Sequence, residues 1–400
     1  MDGLNPKVLQ WARQTAGFSL EEAAKKLGIG SARGQAGAHR LALIESGENT
    51  PSRAQLLRMA KQYRRSLLTL YLPEPPPKGD RGQDFRSLRG ERSLVQDALL
   101  DALLRDIRSR QAVIRSVLED DDDTHPLPFI GAQRVDSGVS AVVSSLQEVI
   151  GLTAEEFSAQ HTVENAFALL RQKAESVGIF VLLIGNLGSH HSNLELETFR
   201  GFALADPLAP FIVLNDQDAR SAWSFTLVHE LAHLWIGETG VSNQGSETKV
   251  EKFCNDVAGE FLFPSALAAE VGVSLQTSVP DAYTKISEFA QTRNLGRSFV
   301  AYKLLRLNLL DKPTWSQLSQ TFLDEWRSDR ADRKEKAKAK DSGPNYYVVR
   351  RHRLGVALLN TVSRMLADGS LTPGKAGRVL GVKPRSVEPL LSTTVSALQG

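Results

Sequence analysis

The sequence predicts an α+β protein: a mostly helical chain with one small sheet near its middle. Apolar residues recur at helical spacing, with capping residues and glycine stops, over 4–72, 93–118 and much of 311–400. Three short apolar runs, 179–184, 199–205 and 211–214, are separated by Gly185-Asn186-Leu187-Gly188 and by a proline-bounded link at 206–210, and read as strands. Directly after them the helical period returns and carries two histidines four residues apart.

Composition bounds the chain before any motif is read. Its 400 residues suffice for two or three domains, and 42% hydrophobic with 24% charged residues is ordinary for a globular protein. The single cysteine, Cys254, excludes an internal disulfide and a cysteine-rich zinc finger, and suits a reducing cytoplasm. The start Met-Asp-Gly-Leu-Asn-Pro has neither a basic nor an apolar stretch, so no signal peptide is expected. The longest apolar run, at 179–184, is too short for a membrane span. Net charge is +2, but residues 1–80 carry twelve Lys/Arg against seven Asp/Glu, and 326–400 fifteen against six. Basic ends of this kind suit DNA, although solvated helix faces also produce them.

In chain order, Asn5-Pro6 opens a first helix and Ser19-x-x-Glu22 caps a second, which Gly28 stops. Another helix follows from about Ser52 to Tyr63. Between them, residues 30–40 contain Gly34 and Gly37, each costing about 1 kcal/mol in a helix interior. This stretch is expected to be a flexible loop that orders on binding, with Arg33, Gln35, His39 and Arg40 available to touch nucleic acid or a protein partner. Residues 73–80 form a proline-rich linker, 93–118 a long amphipathic helix, and 119–123 a solvated acidic connector. The loop histidines His190 and His191 are candidate oxyanion partners, and equally ordinary exposed side chains.

The chemistry concentrates at 228–234, Val-His-Glu-Leu-Ala-His-Leu. Positions i and i+4 share a helix face, so His229 and His233 can reach one metal ion, and Glu230 beside them can take a proton from a water that the metal polarises. A catalytic zinc wants a third protein ligand and one open position. On the next predicted helix, 250–262, Glu251 can supply that ligand, and Asn255, four residues later, can accept a hydrogen bond from a ligand histidine. Glu247 and Glu260 are rival ligands, and Cys254 is expected to pack in the core.

Two resemblances follow from these residues. The run Arg13-x-x-Ala16-Gly17-x-Ser19-x-Glu21-Glu22-Ala23-Ala24-x-x-Leu27-Gly28, with Ile44-Glu45-x-Gly47-x-x-x-Pro51, resembles the helix-turn-helix of the phage-repressor (XRE/Cro) family. Phe199-Arg200-Gly201-Phe202-Ala203, the 225–234 segment and Glu251-x-x-x-Asn255-x-x-Ala258-x-Glu260-x-Leu262-x-Pro264 together resemble the ImmA/IrrE family of metallopeptidases. That resemblance implies a zincin-like, thermolysin-like core, Zn2+ held by His229, His233 and Glu251, and Glu230 as the catalytic group. It also implies an XRE-type repressor as substrate. This sequence has Cys254 where the family usually has alanine, and Phe263 where methionine is common.

The expected organisation is a helix-turn-helix-like domain at 1–72, a linker and long helix at 73–130, a zincin-like peptidase domain at 131–310 and a basic helical region at 311–400. Over that last region, 372–387 reads as two short helices about a glycine turn, a candidate second DNA-binding unit or packing surface. The leading expectation is a cytoplasmic zinc endopeptidase that cuts a repressor. The alternative is a DNA-binding regulator or antitoxin-like module whose peptidase-like part only senses or binds. No membrane partner is expected, and the sequence does not fix an oligomeric state.

Overall fold

The computed structural model describes residues 3–32, 34–76, 93–188, 192–242, 248–338 and 345–395. Arg33, His190, His191 and Glu247 lie outside the described residues. The chain divides into two compact units, one of residues 1–106 with 186–198 and one of 107–185 with 199–400.

The first unit holds α1 (Pro6–Gln14), α2 (Leu20–Leu27), α3 (Gly37–Glu45) and α4 (Arg53–Gln62). The caps are those that the sequence signals. The Asn5 side chain accepts from the Lys7 N–H, Ser19 and Glu22 form a reciprocal capping box, and Gly28 ends α2 at φ 66°. Leu9, Leu27, Leu41, Leu56 and Tyr63 close the core, and Arg13 donates to Glu45 at 2.9 Å, tying α1 to the end of α3. A fifth helix, α5 (Leu94–Glu119), begins in this unit and continues into the second.

Residues 30–40 correct the expectation of a loop. Ala32 and Gln35 exchange backbone hydrogen bonds at 3.0 and 3.1 Å across a tight turn in which Gly34 takes φ +76°, and α3 starts at Gly37. Gly37 is the first helical residue rather than an interior one, so its helix penalty is small. A Cβ there would lie 2.0 Å from the Ile29 carbonyl oxygen, so close backbone approach is what demands glycine. Gln35 and His39 are exposed, and half-buried Arg40 donates to the Gly30 carbonyl at 2.7 Å.

In the second unit, α6 (Val139–Ile150), α7 (Ala154–Ser158) and α8 (Val163–Ser176) precede β1 (Phe180–Leu183), β2 (Gly201–Leu204) and β3 (Phe211–Leu214). Then come α9 (Arg220–Trp235), β4 (Gly240–Ser242) and α10 (Lys249–Leu262). The sheet order is β1-β3-β2-β4, with β1 parallel to β3 and the other pairs antiparallel. The first three strands are buried along their whole length, which is why they read as unbroken apolar runs. The fourth, β4, was not expected. It places Ser242 opposite Gly201. Helix α9 packs against β2, β3, α8 and α10 at the centre of the core.

The chain continues through α11 (Val279–Thr292), α12 (Arg297–Arg306), α13 (Lys312–Lys338), α14 (Tyr346–Leu354), α15 (Val356–Ala367), α16 (Pro373–Leu380) and α17 (Val387–Val395). Both α14 and α15 pack on β1, and a buried ion pair fixes them there. Arg171 on α8 donates to Glu175 at 3.0 Å, to the His352 carbonyl at 2.6 Å and to the Val181 carbonyl. Glu175 in turn accepts the Val356 and Ala357 N–H groups at 3.0 and 3.2 Å, two of the donors that the first turn of a helix leaves open. Gly355 sits against this pair at φ +80°, where a Cβ would meet Glu175 Oε1 at 2.0 Å.

Candidate metal centre

Helix α9 is apolar on nearly every face and buried from Thr226 to Trp235. A helix of that kind belongs in a core, so polar groups on it need partners that compensate their lost water. His229 and Glu230 lie at its middle and His233 one turn after His229, all at most 3% exposed. Facing them is the first turn of α10, where the Thr248 hydroxyl accepts the Glu251 N–H at 3.2 Å and so sets the start of the helix.

The resulting geometry gathers two ring nitrogens and one carboxylate. His229 Nε2 and His233 Nε2 are 3.1 Å apart, and Glu251 reaches them with its two oxygens at 3.3 and 3.2 Å respectively. The three side chains are a buried group able to hold a metal ion. Tetrahedral zinc, with bonds of about 2.0–2.2 Å, sets its ligand atoms roughly 3.3 Å apart, so the spacing and the donor set fit that ion.

Electrostatics agree. Burial pushes the Glu251 carboxyl up, but His229 and His233 more than offset this and hold it at about 2. Burial pushes the His233 imidazole down, while Cys254, Glu251 and Glu230 beside it prevail and raise it well above its ordinary value. The cluster thus attracts positive charge, which a divalent cation satisfies more fully than a proton.

Glu230 occupies a slot beside the sheet. A Cβ on Gly201 of β2 would fall 2.7 Å from both Glu230 Oε1 and Thr226 Cγ2, so only glycine lets the strand pass so close to this carboxylate. The Phe199–Ala203 run contains that glycine, yet nothing in the sequence says what it lies against. Cys254 is buried as expected, and its proximity to His233 is an addition.

Asn255 departs from expectation. Among the described residues neither His229 Nδ1 nor His233 Nδ1 has a hydrogen-bond partner, so the expected bond from a ligand histidine to Asn255 is not made. The physical reason is its place on α10: it lies one turn beyond Glu251, and there it lines a cavity shared with Phe225, one turn before His229. Glu260, a rival ligand, is engaged elsewhere, bonded to Lys303 at 2.7 Å and to Ser265 at 2.6 and 3.0 Å.

Residues 182–305 match the Peptidase_M78 family model, described as an IrrE N-terminal-like domain. The matched stretch contains His229, Glu230, His233 and Glu251, and it supports a metallopeptidase-like function for this part of the chain. No curated protein and no solved structure matches the chain.

Proposed function

We propose that this protein is a zinc-dependent endopeptidase, with His229, His233 and Glu251 as metal ligands and Glu230 as the proton-transfer group. The observation that carries the reading is the cluster of Nε2, Nε2 and carboxylate atoms at 3.1–3.3 Å with Glu230 next to it on the same helix. When bound there, zinc would supply a Lewis acid for a peptide carbonyl and lower the pKa of a water.

The chain's own residues account for the remaining steps. Glu230, packed close to Gly201 of β2, would take a proton from the attacking water and pass it to the leaving amine. Fixing a carboxylate in a buried slot spares the reorganisation that a mobile one would need. Strand β4 pairs with β2 along one edge and with no other strand among the described residues, so its free backbone edge is suited to align an extended peptide.

The proposed substrate is an XRE-type repressor, cut once so that transcription is released, with cytoplasmic action. The resemblances support this, together with an N-terminal unit of short packed helices. Exposed Gln35, in the turn before α3, and His39, in its first turn, favour a second role, contact with DNA or with the repressor itself. The test is to incubate the protein with XRE-type repressors from the same organism, with and without chelator, and to read products by intact mass. A single cut made by wild type, and lost with chelator or in Glu230→Gln while zinc is retained, is the expected result. Equal turnover by Glu230→Gln would remove Glu230 from the mechanism. Sequence-selective gel shifts without cleavage would favour the regulator reading.

A further inference from the structure

We propose that the cavity one helical turn from the metal ligands seats a substrate side chain adjoining the scissile bond, and that it selects a long uncharged side chain with a hydrogen-bonding tip, glutamine or tyrosine. The proposal rests on the peptidase reading above. The cavity holds about 370 Å³, enough for such a side chain.

Its position follows from the two metal-bearing helices. Phe225 lies one turn before His229 on α9, its ring 6.4 Å from the imidazole, and Asn255 lies one turn after Glu251 on α10. Both line the cavity, so its wall lies one helical turn from a ligand on each of the two helices. Phe299 of α12 packs 4.9 Å from Phe225, and the two rings give an apolar floor for a side-chain stem.

The polar wall decides the chemistry. Lys303 is paired with Glu260 at 2.7 Å and Arg306 with Asp256 at 3.2 Å, so each charge is already balanced by a neighbour. An incoming anion gains a cation but meets its carboxylate, and an incoming cation meets the reverse, while either sheds water on entering. A neutral amide or phenol avoids that cost. Among the described residues the Asn255 side chain has no hydrogen-bond partner, and its amide offers both a donor and an acceptor at the cavity wall.

Gly259 is the second, independent sign. It is buried in the last turn of α10, still inside the helix, where glycine weakens a helix relative to alanine. A Cβ there would make only ordinary 3.8 Å contacts with Lys303 and Phe299, so packing does not forbid one. What glycine preserves is open space in the cavity that it lines.

Two readouts separate the pocket from the reaction. The first profiles cleavage of a proteome-derived peptide library by zinc-loaded full-length wild type, Gly259→Leu, Gly259→Ala and Asn255→Ala. The wild type should favour Gln or Tyr at one position beside the cut, and Gly259→Leu should shift that position to small residues. The second measures ligand-observed NMR binding of N-acetyl, N-methylamide derivatives of Gln, Tyr, Glu, Arg and Leu to the same proteins. Gln and Tyr derivatives should bind wild type best, about tenfold more weakly to Gly259→Leu. If Gly259→Leu does not fold, Asn255→Ala carries the same test through loss of the polar tip's preference. Selective binding without cleavage would keep the pocket and end the peptidase reading. Cleavage with a charged preference, or with one that Gly259→Leu and Asn255→Ala leave unaltered, would overturn the pocket and keep the peptidase.

Discussion

The second unit contains two buried clusters of charged and ionisable side chains, and they differ in how completely the protein answers them. Around Arg171 and Glu175, the guanidinium donates to a carboxylate and to backbone carbonyls, and the carboxylate accepts two backbone N–H groups. Around His229, His233 and Glu251, two imidazole nitrogens and both oxygens of one carboxylate converge, and among the described residues both Nδ1 atoms lack hydrogen-bond partners. The first cluster is complete as protein and joins α14 and α15 to the core. The second has its lone pairs gathered about a space sized for a cation. Burial alone therefore does not mark a functional site; convergence without internal satisfaction does.

The largest expected effect breaks the complete cluster. Burial already pushes the Glu175 carboxyl above its ordinary value, with Arg171 pulling the other way, so Arg171→Leu strands a buried acid. Chemical denaturation should show a loss of about 3–5 kcal/mol, while the folded fraction keeps its zinc. In the other cluster, chelation should lower the melting temperature, and zinc at a thousandfold excess over Kd should restore about 4 kcal/mol. Glu251→Ala should abolish that zinc-dependent increment. If zinc stabilises this variant as much as wild type, Glu251 is not a ligand.

Smaller changes sharpen the contrast. Gly201→Ala should cost about 1–3 kcal/mol by crowding Glu230 and Thr226, and should lower peptide turnover far more than zinc content. Equal turnover would show that the Glu230 position is not critical. Smallest is Glu260→Gln, expected to cost under about 1 kcal/mol at neutral pH. Burial pushes the Glu260 carboxyl up, but Lys303 and Ser265 prevail and hold it below its ordinary value of 4.5. Its stabilisation is therefore present above that value and lost as pH falls through the lower one. Wild type and variant should converge in acid; a gap that persists there would contradict the assignment.

Much of the metal centre was legible because its parts are local. His229, Glu230 and His233 share one turn and a half of helix, and Glu251 follows a cap on the next one. The strands β1 to β3 were legible as buried apolar runs. Strand β4 was not, since Gly240-Val241-Ser242 is too short to show a period and forms only by pairing with β2. Residue Asn255 was misplaced because helical spacing says which residues share a face, not which turn of the neighbouring helix they meet. The helical break at Gly355 is likewise set from a distance: the Arg171–Glu175 pair that it packs against lies about 180 residues earlier in the sequence. Gly37 shows the converse, a residue read by its average propensity when one carbonyl, that of Ile29, decides it.

The central claim is that His229, His233 and Glu251 form a metal site where Arg171 and Glu175 form a structural one. Elemental analysis of the purified full-length protein, wild type beside Glu251→Ala and Glu230→Gln, tests it most directly. One zinc per chain is expected in wild type and in Glu230→Gln, and little in Glu251→Ala. Zinc-free wild type that binds none when it is added back, or full zinc in Glu251→Ala, would contradict it.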